Sequence, residues 1–511
     1  MSSISGDQTG CNRVAAFFHS NRIYIIPSVI HWGITFLTDR LVFISDESSN
    51  VLNYIACKVI LLPILFLLWK AVVKAVCEHD KETLKILKFA GIYLIPMIAV
   101  MAFKLPEGYL SNDESLIFEE AVRLKDYTWF SYLTTWYYIL SLMLIPFKYG
   151  PIIVKVVIQI LVCGYVVKRM TDITSFKYGI FSYIPFIFFP VLAYTTSAHR
   201  IPVYFLLYAF LLVKMLLDKA ENRSISFYDI AWILILGAVL TQWRTEGIYL
   251  VLILPLLIFT AYPDLRRGKS AAVIIAGFLF LQYLVSIPQT GVIPGRMGDK
   301  ANNRMGPFYA YTITNMFRNG LDGDRNSGDI EKVGRYLSIE AIDRINEDLK
   351  DINYEDVLIL YYPGYVGVKE DAESRDYIAY TEGCRNIFKN NPYVFLRTRA
   401  GAFNYAALPY HIEAGAGGVK LLFSAVKAGF YNLYIPHLLL LLGWIISLIK
   451  KKWYVFFAAS GLIGHFIIVF VLAPASYFKY YFPVYFTVYL YLTLYLITAV
   501  YNRNRDTKVI L

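Results

Sequence analysis

Apolar runs close to membrane-crossing length recur along most of the chain, and no other feature constrains its fold so tightly. VILLPILFLLW (59–69), AWILILGAVL (231–240) and YLVLILPLLIFTAY (249–262) each belong to a stretch near the ~20 residues that cross a hydrocarbon core ~30 Å thick. Lipid offers the backbone no hydrogen-bond partner, so a spanning segment must satisfy its own N–H and C=O groups, as a helix or a closed barrel does. No strand-like alternation is present to build a barrel. Composition agrees: 57% of residues are hydrophobic and 17% charged, against about 25% charged in an ordinary soluble domain. The expected fold class is an all-α polytopic membrane protein, a bundle of about 12 transmembrane helices (11–13), multi-pass in a cell membrane.

The net charge of +11 is concentrated in short connections. These are KETLKILK (81–88), KR (168–169), DKAENR (218–223), RRGK (266–269), KKK (450–452) and the tail NRNRDTK (502–508). Short basic loops stay cytoplasmic, which accounts for the surplus without nucleic acid and leaves the bilayer as the expected partner. The five cysteines are dispersed, and Cys57, Cys77 and Cys163 lie in or beside apolar stretches. No CxxC pair occurs, so neither a disulfide framework nor a zinc site is indicated. MSSISGDQTGCNR lacks the charged-then-apolar order of a cleaved signal peptide, so the first membrane helix is expected to direct insertion.

Taking basic loops as inside gives a consistent path from residue 168 onward, with spans at about 178–194, 201–217, 227–243, 246–263, 271–288, 432–449, 453–473 and 480–500. TTSAHR (195–200), WRTEG (243–247), APASYFK (473–479) and the long segment 289–430 then fall outside. The span at 88–103 runs outward and delivers Asp113 to the same face. Two full crossings at 131–147 and 151–168 would return the chain to the wrong side. YLTTWYYILSLMLIP is therefore read as an interfacial or re-entrant helix, and PIIVKVVIQILVCGYVV as the crossing. The stretch 52–70 reads as a span, whereas 23–44 contains Asp39 and Arg40 and is left between span and interfacial segment.

Four regions follow: 1–87 with the N-terminal membrane segments, 88–288 as a membrane module whose first external loop is 104–150, 289–430, and 431–511. Segment 289–430 has mixed charge and helical patterns such as GDIEKVGRYLSIEAIDRINEDLK (328–350), and is expected to be a small helical extracytoplasmic cap. In NPYVFLRTRAGAF (391–403), Asn caps a helix that opens on Pro and is expected to lie on the outer surface.

GYLSNDESLIFEEAVRL (108–124) places four carboxylates at the mouth of an apolar helix. Asn112 or Ser111 can cap a new helix there, with Asp113 and Glu114 complementing its dipole, and Glu119 and Glu120 forming a solvated face. A carboxylate at a membrane boundary can also serve as general base for an acceptor hydroxyl, and Asp113 is the candidate.

The order of features resembles the GT-C superfamily of membrane glycosyltransferases, and most nearly its branch of protein mannosyltransferases and aminoarabinose transferases. The counterparts are the Asp113–Glu114 pair, the aromatic WFSYLTTWYYILSL (129–142), VVKRM (166–170), TSAHRI (196–201), WRTEGIYLVL (243–252) and FKYYFPVY (478–485). The resemblance covers roughly 88–290 and 430–500. It departs where Arg200 is followed by IPVYFLLY without an acid, and where Lys479 replaces the usual Arg, a point charge in place of a bidentate fork.

The resemblance implies a GT-C-like helical bundle in which a sugar moves from a polyprenyl-phosphate donor to an acceptor hydroxyl at the outer face, with inversion. Asp113, paired with Glu114, would act as base. Arg200, Arg244, Lys479 and His199 would meet the donor phosphate, with Glu246 orienting Arg244 and Tyr480 in support. Acceptors would be a glycan, a glycolipid or a protein, and bacterial plasma membrane the setting. The reading requires no cofactor, and a divalent metal is not indicated. Snorkelling at helix ends is the plain account of Arg244 and Lys479, and an interfacial hydrogen bond that of His199. A polysaccharide polymerase or ligase, and a transporter or lipid flippase, are the alternatives. The first would rely on paired external arginines, the second on mid-membrane polar groups in two related halves.

Overall fold

The computed structural model of the chain describes residues 7–44, 50–104, 112–126, 130–289, 305–348, 367–369, 371–408, 425 and 428–503, and the side chains of these from residue 21 onward apart from Asn112 and Asp348. Ser111 as a cap, parts of the 289–430 segment and the basic tail beyond 503 lie outside the described residues. Every regular element described is helical, with one isolated bridge between Leu337 and Val368.

Among the described residues eight helices are long and apolar enough to cross a membrane, or nine if the pair Phe176–Ile187 and Phe189–Thr196, bent by 60°, makes one span. The apolar runs alone suggested about 12. The difference lies in the bent pair, in Phe227–Trp243 and Thr245–Ala261, which fall short of the required length, and in the N-terminal helix Asp7–Val42, which takes up most of 23–44. Many large apolar side chains on the long helices face outward, among them Leu67, Ile95, Phe280 and Leu438. So much exposed apolar surface is at home only in lipid or against protein.

The chain forms two units, Met1–Val213 with Thr493–Leu511, and Lys214–Leu492. The first contains α1 (Asp7–Val42), α2 (Val51–Val76), α3 (Lys81–Lys104), α4 (Asn112–Val122), α5 (Tyr132–Leu144), α6 (Gly150–Ile173), α7 (Phe176–Gly179), α8 (Phe189–Thr196) and most of α9 (Ile201–Ala220). KETLKILK is the opening of α3 rather than a loop, so a region boundary at 87 cuts a helix.

α3 and α6 run antiparallel. At one end Lys168 pairs with Glu82 and Asp172, and Lys85 with Asp172; further along, Gln159 meets Tyr93. Gly164 permits the approach, since a Cβ there would lie 2.6 Å from the Ile86 carbonyl oxygen and 2.8 Å from the Ala90 nitrogen. The end of α3 and the start of α6 are therefore neighbours, and the stretch between them starts and finishes at one end of the unit. α5, within that stretch, has 13 residues. At 1.5 Å per residue it is about 20 Å long, short of the hydrocarbon thickness.

The second unit holds α10 (Phe227–Trp243), α11 (Leu250–Ala261), α12 (Lys269–Ile287), a cluster of α13 (Gly306–Arg318), α14 (Ser327–Gly334), α15 (Ile339–Asp348), α16 (Ser374–Asn390) and α17 (Pro392–Ala407), then α18 (Tyr434–Ile449), α19 (Trp453–Leu472) and α20 (Phe482–Asn502), which ends in the first unit. The cluster has its own apolar core, in which Tyr309, Tyr380, Val333, Ile342 and Ile387 are buried. Asn391 does precede a helix opened by Pro392. That helix is not simply a surface element: Arg399 is buried and its Nε donates to the Phe470 carbonyl at 2.6 Å.

Candidate functional site

α4 carries the acidic pair in its first turn, where carboxylates complement the helix dipole. Its buried face is Glu114, Ile117 and Ala121, spaced three and four residues apart, and the last two pack with Cys57, Leu61 and Leu65 of α2 and Tyr138, Ile139 and Met143 of α5. Glu114 thus stands at the end of an apolar stripe and is 0% exposed, whereas the side chain of its neighbour Asp113 is 47% exposed.

What Glu114 meets in the interior is the turn joining α8 to α9. Arg200 donates from Nη1 to Glu114 Oε1 at 2.9 Å, and the Arg200 backbone N–H points at the same oxygen at 3.5 Å. His199 Nδ1 lies 3.6 Å from it. The guanidinium also stands 4.0 Å from Asp113 Oδ2, and its carbon lies 3.5 Å from the centroid of the Phe130 ring. A cation over an aromatic face and beside a buried carboxylate is held in one place. Tyr138 Oη donates to the Ala198 carbonyl at 3.2 Å, and the ring of Tyr194 sits 5.2 Å from that of His199.

The far end of α4 is fastened as well. Ile44 N–H donates to the Val122 carbonyl at 2.9 Å, and Asn53 Nδ2 to that of Leu124 at 3.1 Å. Trp136 Nε1 in turn donates to Asn53 Oδ1 at 2.9 Å. Asp113 therefore rides on a helix fixed at both ends while its own carboxylate remains open to solvent.

Lys155 was missed in the sequence reading. It lies on α6, is 2% exposed, and donates to the carbonyls of Ser197 and His199 at 2.5 Å each and of Tyr194 at 3.4 Å. A lysine within an apolar run, four residues before Gln159, was a signal available in PIIVKVVIQIL.

The remaining candidates belong to the second unit. Arg244, between α10 and a 3₁₀ turn at Thr245–Tyr249, engages Glu246 with two donors, Nη2 to Oε1 at 2.5 Å and Nε to Oε2 at 3.2 Å. Its guanidinium lies 5.9 Å from the Tyr480 ring, and Lys479 Nζ lies 4.6 Å from that of Tyr477. His465, also absent from the sequence reading, is buried with Nε2 3.0 Å from the Tyr480 carbonyl. Asp113, Glu114, His199 and Arg200 are thus brought together in the first unit, and Arg244, Glu246 and Tyr480 in the second. Among the described residues no group of three or more His, Cys, Asp or Glu side chains is gathered to hold a metal ion.

Comparison of the chain with protein-family models, with curated proteins and with solved structures yields no match.

Proposed function

We propose that the chain is an integral membrane glycosyltransferase that moves a sugar from a polyprenyl-phosphate donor to an acceptor hydroxyl at the extracytoplasmic face. One observation supports this reading most: two adjacent carboxylates have opposite surroundings. Glu114 is buried and matched by Arg200, and Asp113 is accessible 4.0 Å from the same guanidinium.

In the proposed reaction the acceptor oxygen attacks the anomeric carbon as the bond from that carbon to the phosphate oxygen breaks. Asp113 accepts the hydroxyl proton. The lipid phosphate leaves with the electron pair, and its developing charge needs a fixed cation more than a proton. Arg200, held by Glu114 and Phe130, is that cation, and His199 supplies a further hydrogen bond. Attack opposite the leaving group inverts the anomeric centre. The sequence resemblance alone assigns Arg244 and Lys479 to the donor phosphate, with Glu246 orienting Arg244 and Tyr480 in support.

The test is the composition of the cell envelope. A strain lacking the chain should lose one sugar from an envelope glycan, glycolipid or glycoprotein by mass spectrometry and accumulate its unsubstituted acceptor. An unchanged glycan profile together with a defect in lipid export would favour a transporter instead.

A further inference from the structure

α8 ends at Thr196, and the carbonyls of a helix C-terminus carry partial negative charge without intrahelical partners. Lys155 meets this end. Its ammonium has three N–H donors, and three carbonyls of one turn, Tyr194, Ser197 and His199, receive them. The last of these belongs to the peptide joining His199 to Arg200. The carbonyl of that peptide accepts from Lys155 at 2.5 Å, while its N–H faces Glu114 Oε1 at 3.5 Å. One peptide plane is thus gripped from both sides, immediately before the side chain that stands by Asp113.

We propose that Lys155 is a positioning residue: by fixing the 199–200 peptide against Glu114 it sets the place of the Arg200 guanidinium, and with it recognition of the donor phosphate. The consequence for the donor rests on the role of Arg200 proposed above; the grip on the turn does not.

The test uses the purified full chain carrying Lys155→Met, which removes the ammonium and nearly keeps the side-chain length. Without substrate, modification of His199 by diethyl pyrocarbonate is followed by mass spectrometry of the His199 peptide. Loss of charge-assisted bonds to the turn should raise its rate about tenfold. Binding of polyprenyl monophosphate, the product lipid, is then measured in a double-mutant cycle with Arg200→Gln. Each single change should weaken binding by roughly tenfold, and the double change should bind no worse than Arg200→Gln alone, because Lys155 acts through Arg200. Losses that multiply, or a Lys155→Met protein with wild-type binding and a wild-type His199 rate, would overturn the proposal. Should Arg200→Gln bind the lipid as wild type does, the donor role of Arg200 fails, and the His199 rate alone decides the grip. If Lys155→Met does not fold, Lys155→Gln, one atom shorter and unable to reach all three carbonyls, takes its place under the same criteria.

Discussion

Asp113 and Glu114 are chemically alike and one residue apart, yet the fold gives them different surroundings. Glu114→Gln leaves Arg200, whose side chain is 10% exposed, beside a neutral amide. Breaking a buried pair from one side costs about 3 kcal/mol or more, so thermal unfolding should report a clear loss of stability. Asp113→Asn removes an accessible charge and should change stability by only ~0.5 kcal/mol. Equal destabilisation by both would erase the distinction. Part of this was visible in the sequence: Glu114, Ile117 and Ala121 share one helix face, so an acid in an apolar stripe marks a buried charge awaiting a partner. The partner was not visible, because Arg200 lies 86 positions away and only packing brings it near. Lys155 is the same lesson in reverse. Its spacing to Gln159 was readable, but the three carbonyls it satisfies belong to a bend that no local pattern announces.

At the scale of elements, α4 is packed along its buried face and fastened at both ends. Leu124, just past its C-terminus, takes a positive φ of 59°, a conformation usually left to glycine. The strain is about 1–2 kcal/mol. Leu124 is nonetheless buried with Cys57 and Tyr138, which stabilises by roughly 1.5–3 kcal/mol before any cavity is counted. Burial wins, so Leu124→Gly should destabilise the protein despite relaxing the backbone, and a rise in unfolding temperature would contradict this. Gly164 works the other way. A methyl there meets backbone of α3 rather than a yielding side chain, so Gly164→Ala should cost ~1–3 kcal/mol in a thermal or denaturant melt. The apolar runs mark α2, α3 and α6 as helices long and apolar enough to span, but a cluster of basic residues does not by itself mark a loop. Lys81 to Lys88 instead open α3, where Glu82 and Lys85 are matched by Lys168 and Asp172 of α6.

For the whole molecule, the helical class and long apolar spans were plain in the sequence, because hydropathy reports directly on the solvent a helix can tolerate. The number of spans was less plain, since a proline or a 3₁₀ turn divides an apolar run without changing its composition, as at Ile180–Ile187 and Thr245–Tyr249. Antiparallel α3 and α6 place Lys85 and Asp172 at one end of the first unit, and Asp113 and Arg200 beyond the other. If the basic end is cytoplasmic, Glu119→Cys should react with an impermeant maleimide in intact cells and Lys177→Cys should not, each in a cysteine-free background. Labelling of position 177 with protection of 119 would invert the topology. The central proposal is sugar transfer with Asp113 as base, and the most direct measurement is turnover by purified protein in vesicles supplied with polyprenyl-phosphate sugars and acceptor. Wild type should release one lipid phosphate for each sugar transferred, and Asp113→Asn should do so about 10²–10⁴-fold more slowly while still binding the lipid phosphate. Transfer by Asp113→Asn at the wild-type rate would contradict it.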